Sequence, residues 1–240
     1  MFQKGRQMDY IDKVVKHKIQ SLAYGDILEK EISDITELYI KSIHRILEGK
    51  TVSTKNLSNS FKRRIKEILL NYAVTVTFAA TQLSAEIIEK EKVWLSTVIG
   101  EALNISFRFP DSAEVMLNNI PFAGMSSVND MGTTLANQIG NYTNALIENA
   151  YITGNDLDSL IEEGNTRLDT VRNYVKNNSR VIGENLSGSY ERIIYTKNAG
   201  KVKSYIWLAI LDSNTCLGCA ELDHQIFNDI SKVPIYPLHL

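Results

Sequence analysis

Cysteine is nearly absent from this 240-residue chain, which holds only Cys216 and Cys219. A disulfide framework is excluded, and with it the small secreted scaffolds that depend on one. Proline is scarce as well, with four residues, so long stretches are free of helix breakers. Long apolar runs are also missing. The longest apolar region, 72–83, is interrupted by Thr75, Thr77, Thr81 and Gln82 and falls short of a bilayer span, so no membrane role is expected. The first 18 residues mix charged and apolar positions without the apolar core of a signal peptide, which predicts a protein of the reducing cytoplasm.

No strong charge of one sign is present either. The net charge is −2, from 26 Lys+Arg and 28 Asp+Glu, which argues against a general nucleic-acid coat. The average conceals a split: residues 1–66 hold 14 of the basic and 8 of the acidic side chains, net +6, which leaves −8 on residues 67–240. The chain reads as a basic N-terminal arm on an acidic body. Lys62, Arg63, Arg64 and Lys66, beside Phe61, form the tightest basic cluster and are candidate phosphate contacts, with a solvated helix face as the plainer alternative.

What the chain does have is apolar material at helical spacing. Hydrophobic residues make up 44% and charged residues 22%, enough for a core that needs no metal as its main support. Ile11, Val15, Ile19 and Leu22 recur at three- and four-residue steps, which puts one stripe on a helix and predicts a helix up to Tyr24. Gly25 is expected to interrupt it, and Leu28 to Leu47 to form a second helix in a hairpin with the first. Residues 61–98 predict one long helix, although 73–80 are rich in β-branched residues. A linker is expected over 111–124, between Pro110 and Gly124. Beyond it, Ser127 to Gly154, Asn155 to Ile161 and Asn165 to Asn177 predict helices, and the alternation over 201–211 predicts a strand buried on both faces.

The candidate chemistry lies just after that strand. Cys216-x-x-Cys219, with Gly218 between the cysteines, can offer two thiolates to one tetrahedral ion. The same spacing serves a redox pair, and two packed thiols are the bland alternative; the absence of a βαβ context ranks zinc above redox chemistry. His239, with His224 or Asp223, would complete a zinc site. Glu89-Lys-Glu91 has the Glu-x-Glu spacing of some transferases but lies in a helical pattern without a phosphate loop, so it is read as a charged helix face. His17 and His44 are expected to pack or cap within amphipathic helices.

Trp207, Asp212, Thr215, Cys216, Cys219, Leu222, Asp223, Phe227, Pro237 and His239 together resemble the C-terminal pattern of phage head-morphogenesis proteins, the minor head proteins that include the Mu F-like family. The resemblance covers about residues 125–240. Two departures stand out: His224 occupies the position of a family glycine, and Leu240 comes before the family's second cysteine pair.

The resemblance implies a minor structural protein of a tailed-phage head, made in the host bacterial cytoplasm and residing in the virion at the head interior or portal vertex. Its implied partners are the portal protein and the major capsid protein in a multi-subunit assembly, with packaged DNA reached by the basic arm, and it implies no catalysis. Two other readings stand beside it: a zinc-knuckle module that binds nucleic acid or regulates, and a degenerate toxin or nuclease domain. The expected fold is mainly α, with an N-terminal helical part (1–110) and a C-terminal α+β domain (125–240) holding a small strand-and-knuckle element.

Overall fold

The structure, a computed structural model, describes residues 4–48, 59–122, 126–163, 165–207 and 217–234. The protein is mainly helical, as the spacing of its apolar residues predicts. Helix α1 runs from Lys4 to Leu47 and α2 from Asn59 to Trp94. The α2 rod continues through a π-helical stretch, Leu95–Gly100, and a last turn, α3 (Glu101–Leu103), which ends at Asn104 in the left-handed conformation. A short α4 (Ala113–Asn118) follows, then α5 (Met131–Thr153), α6 (Leu157–Glu163) and α7 (Asn165–Lys197). Near the C-terminus, β1 (Tyr205–Ile206), α8 (Leu217–Leu222) and β2 (Ile226–Phe227) complete the chain.

Four long helices, α1, α2, α5 and α7, make the body. Helix α1 lies antiparallel to α7, as the ion pairs Lys18–Glu191, Glu29–Lys176 and Glu37–Arg172 require. It also lies antiparallel to α2, with His17 meeting Glu91 at one end and Thr36 meeting Tyr72 at the other. Helix α2 in turn packs closely on α5: a Cβ placed on Gly132 would meet Ala73 O at 1.9 Å, so only glycine fits this crossing.

Several expectations change here. Gly25 does not break α1, because it serves a helix crossing rather than a turn. Residues 73–80 are helical, as predicted; of their β-branched side chains Val76 is fully buried, whereas Val74 is exposed. The stripe Ile11, Val15, Ile19 and Leu22 is not the inward face; these side chains are 36–53% exposed. The inward face is instead Tyr10, Val14, His17, Ser21, Tyr24 and Leu28, a stripe with polar residues in it. Helix α7 runs twenty residues past the predicted end at Asn177, and α5 ends as expected at Gly154, in the left-handed conformation. Asp156, rather than Asn155, caps α6, its carboxylate accepting from the Ser159 backbone N–H at 2.7 Å.

One contiguous apolar core extends from Tyr24 to Ile194 and includes Phe107, Ala113, Leu117 and Phe122. The segment expected as a linker therefore contributes to the same core as the helices on either side, and 111–124 does not separate two cores among the described residues. Asn198 clamps the approach to it, giving a side-chain donor to Arg108 O at 2.9 Å and accepting the Arg108 N–H at 2.8 Å. By length and composition α2 with its extension, Asn59–Leu103, could cross a membrane (mean hydropathy 1.3 in its best window). Its buried face is accounted for by the bundle.

The C-terminal sheet is a single antiparallel pair, Tyr205 opposite Phe227 and Ile206 opposite Ile226. Among the described residues of the predicted stretch only Tyr205–Ile206 is strand, residues 208–211 lying outside the described residues, and the pair is not buried on both faces, since Ile206 and Ile226 point to solvent. Arg192 on α7 anchors the end of this module by donating to Val233 O at 2.8 Å, and Ile230 is buried beside it.

Candidate functional site

The most concentrated set of ionisable side chains inside the bundle lies where α1, α2 and α7 meet. His17, Glu91 and Glu191 each bring one nitrogen or oxygen to within 4.8 Å of the others, an arrangement able to hold a metal ion. His17 Nε2 is 3.0 Å from Glu91 Oε2 and 3.8 Å from Glu191 Oε1. Glu91 is completely buried, and the His17 and Glu191 side chains are only 11% and 10% exposed.

Neighbours fix each group. The His17 ring stacks on Trp94 at 4.0 Å with an 11° tilt, which sets the ring plane. Ser187 Oγ lies 2.7 Å from Glu91 Oε1 and 2.9 Å from Ser21 Oγ; its single proton goes to the charged acceptor. Lys18 Nζ donates to Glu191 Oε2 at 2.5 Å. Each carboxylate thus has one oxygen tied to a protein donor and the other turned toward His17. A buried carboxylate without such partners would be too costly to keep ionised, and removing one partner of a buried charged pair costs about 3–5 kcal/mol.

The two carboxylates also act on nearby phenols. Burial raises the pKa of Tyr10 and Glu191 adds to the rise; for Tyr24, burial leads and Glu91 and Glu86 add to it. Tyr195 is pushed well above the ordinary phenol value by burial, reinforced first by Glu191. All three phenols stay protonated at neutral pH.

This site corrects the reading of Glu89-Lys-Glu91 as a charged face. Glu89 is exposed and pairs with Lys92, but Glu91 points inward between Ile88 and Leu95. The visible signal is a glutamate on the apolar stripe of Ser84, Ile87, Ile88 and Leu95. Glu191 carries the same signal, placed among Ser187, Tyr190 and Ile194. Neither stands out as a ligand from the sequence.

Of the predicted zinc ligands, Cys216, His239 and the Cys219 side chain lie outside the described residues, as do Asp212, Thr215 and Pro237. His224 is exposed, and its Nδ1 is 2.8 Å from Asp223 Oδ2. The structure does bring together Trp207 and the turn after α8: Trp207 N–H donates to Gln225 O at 3.0 Å, and Trp207 O accepts from His224 N–H at 2.8 Å. Leu222 closes α8, and Phe227 sits in β2 opposite Tyr205.

Lys62, Arg63, Arg64 and Lys66 lie exposed on the first turns of α2, with Arg63 3.6 Å from Glu67. Lys62 and Lys66 line a shallow cavity with Leu69, Ile147, Glu148 and Tyr151. In the described part of the arm, Lys18, Glu29 and Glu37 on α1 pair across to Glu191, Lys176 and Arg172 on α7.

No family model matches the chain. Neither the curated proteins nor the solved structures contain a match to it.

Proposed function

We propose that the chain is a minor structural protein of a tailed-phage head, acting at the portal vertex in capsid assembly or DNA packaging. The observation that carries this reading is the conformation of His224. It has φ +62°, the left-handed region where glycine is the ordinary occupant, and it stands where the head-morphogenesis pattern has glycine. A left-handed backbone at a position where the pattern has glycine supports the reading, histidine being tolerated in it. The pairing of Trp207 with Gln225 and His224 gives the same motif a compact hairpin.

A surface suited to assembly accompanies the motif. Leu70, Val74 and Phe78 recur at four-residue steps on α2 and are 61–63% exposed, an apolar stripe that a lone protein gains nothing by displaying. The portal protein or the major capsid protein is the proposed cover, and the basic cluster at Lys62–Lys66 is the proposed contact with packaged DNA. Zinc on Cys216 and Cys219, with His239 and His224, belongs to the same proposal.

Mass spectrometry of purified virions carrying this gene tests the reading. The protein is expected among the head proteins at low copy, and virions that assemble and package DNA without it would sink the proposal. Elemental analysis of the Cys216→Ser variant tests the zinc: a content equal to that of the parent would remove the knuckle.

A further inference from the structure

The three-helix cluster is independent of the phage reading and carries an inference of its own. We infer that His17, Glu91 and Glu191 form a binding site for a single first-row divalent transition metal ion, distinct from the cysteine knuckle.

The donor set comes first. One imidazole nitrogen and two carboxylate oxygens suit a borderline cation such as zinc, cobalt or manganese, whereas calcium and magnesium favour all-oxygen sets. The three ligands come from three separate helices, so the site forms only when the bundle does. Around a tetrahedral ion with bonds of about 2.0–2.2 Å, neighbouring ligand atoms stand about 3.3–3.6 Å apart. The separations of 3.0 and 3.8 Å from His17 Nε2 bracket that edge, so small side-chain rotations bring the atoms into place without moving a helix.

The surroundings argue for a site rather than a chance meeting of charges. In metal centres the ligands are oriented by outer hydrogen bonds, and both carboxylates here are held in that way by their distal oxygens, Glu91 by Ser187 and Glu191 by Lys18. The Trp94 ring holds the imidazole plane. The inner oxygens, Glu91 Oε2 and Glu191 Oε1, both face His17 Nε2, and water supplies the fourth position.

The test uses the full chain with Cys216→Ser and Cys219→Ser, so that sulfur cannot bind the probe. After chelator treatment the protein is titrated with Co²⁺ alone and followed by visible absorption and by NMR of the histidine rings. The expected result is one equivalent bound, ligand-field absorption without a sulfur-to-cobalt charge-transfer band, and paramagnetic shifts centred on the His17 ring. His17→Ala and Glu191→Gln are expected to lower the affinity at least tenfold, and Ser187→Ala about 10–100-fold, as for outer-shell partners elsewhere. No bound equivalent, or binding that leaves the His17 ring unshifted, overturns the site. The ring signals of the parent protein decide the matter even if a variant fails to fold, as circular dichroism would reveal.

Discussion

Gly25 on α1 and Gly183 on α7 meet face to face: a Cβ on Gly183 would lie 2.8 Å from Gly25 Cα and 2.5 Å from Tyr24 O. The two helices touch at the backbone there, which explains why a glycine in the middle of a 44-residue helix does not end it. Alanine at position 183 forces the helices apart and is expected to cost about 1–3 kcal/mol, as overpacking does elsewhere. Gly188, exposed on the same helix with nothing within 4 Å of its would-be Cβ, is the control. Gly188→Ala should stabilise by about 0.5–1 kcal/mol through helix propensity. Urea unfolding of both variants checks the pair, and equal effects would refute the close crossing.

Acid should destabilise the bundle in two separate windows, one through His44, which meets Tyr142 on α5, and one through Glu37, which pairs with Arg172 on α7. Burial lowers the pKa of His44, the Arg172 guanidinium lowers it further, and Glu37 opposes them. The unfolded chain therefore takes up a proton that the native state refuses, and stability falls as pH drops below the ordinary histidine range. Hydrogen bonding to Arg172 is the main force lowering the pKa of Glu37. Its contribution is present above the ordinary carboxylate value and is lost as pH falls through the lowered one. Because the pair is more than a third exposed, about 0.5–1 kcal/mol is expected from it. Melting curves at stepped pH should show a smaller loss between pH 7 and 5 for His44→Gln, and a smaller loss below pH 5 for Glu37→Gln, than for the parent.

Two fully buried tyrosines should respond in opposite ways to loss of the hydroxyl. Tyr72 OH shares a 2.8 Å hydrogen bond with Thr36, so Tyr72→Phe is expected to cost about 1 kcal/mol. Tyr190 OH is buried with no hydrogen-bond partner among the described residues, so Tyr190→Phe should be neutral or stabilising by up to about 1 kcal/mol. Chemical denaturation of the two variants side by side gives the answer, and a larger loss at Tyr190 would contradict the packing around it.

Replacing Lys62, Arg63, Arg64 and Lys66 with alanine should leave the melting temperature unchanged, since all four are exposed. If the cluster neutralises phosphates, the slope of log affinity for duplex DNA against log salt flattens by about 0.9 for each phosphate left without its cation. A slope identical to the parent's assigns the cluster to solvent.

Much of the helical layout is legible in the residues, because the three- and four-residue spacing of Ile, Leu and Val over 28–47, 61–98 and 128–146 is what a bundle requires. The facing of α1 is not. Ile11, Val15, Ile19 and Leu22 form the more apolar stripe, yet the bundle closes on Tyr10, His17, Ser21 and Tyr24, because polar partners wait there on α2 and α7. The candidate metal ligands are hidden for the same reason. A glutamate in an apolar stripe gains its meaning only when His17, 74 residues away, comes to face it.

The antiparallel seating of α1 on α7 has a cost during synthesis. Its defining ion pairs join residues far apart in the chain, with 173 positions between Lys18 and Glu191 and 135 between Glu37 and Arg172. At roughly 5–20 residues per second, the ribosome delivers α7 on the order of ten to thirty seconds after α1 has emerged. Throughout that interval α1 leaves its α7-facing side uncovered, in addition to the stripe of Ile11, Val15, Ile19 and Leu22 that it keeps exposed. The nascent chain is thus a natural client for a holding chaperone, and any product terminated before Asn165 keeps the α7-facing side of α1 uncovered for good.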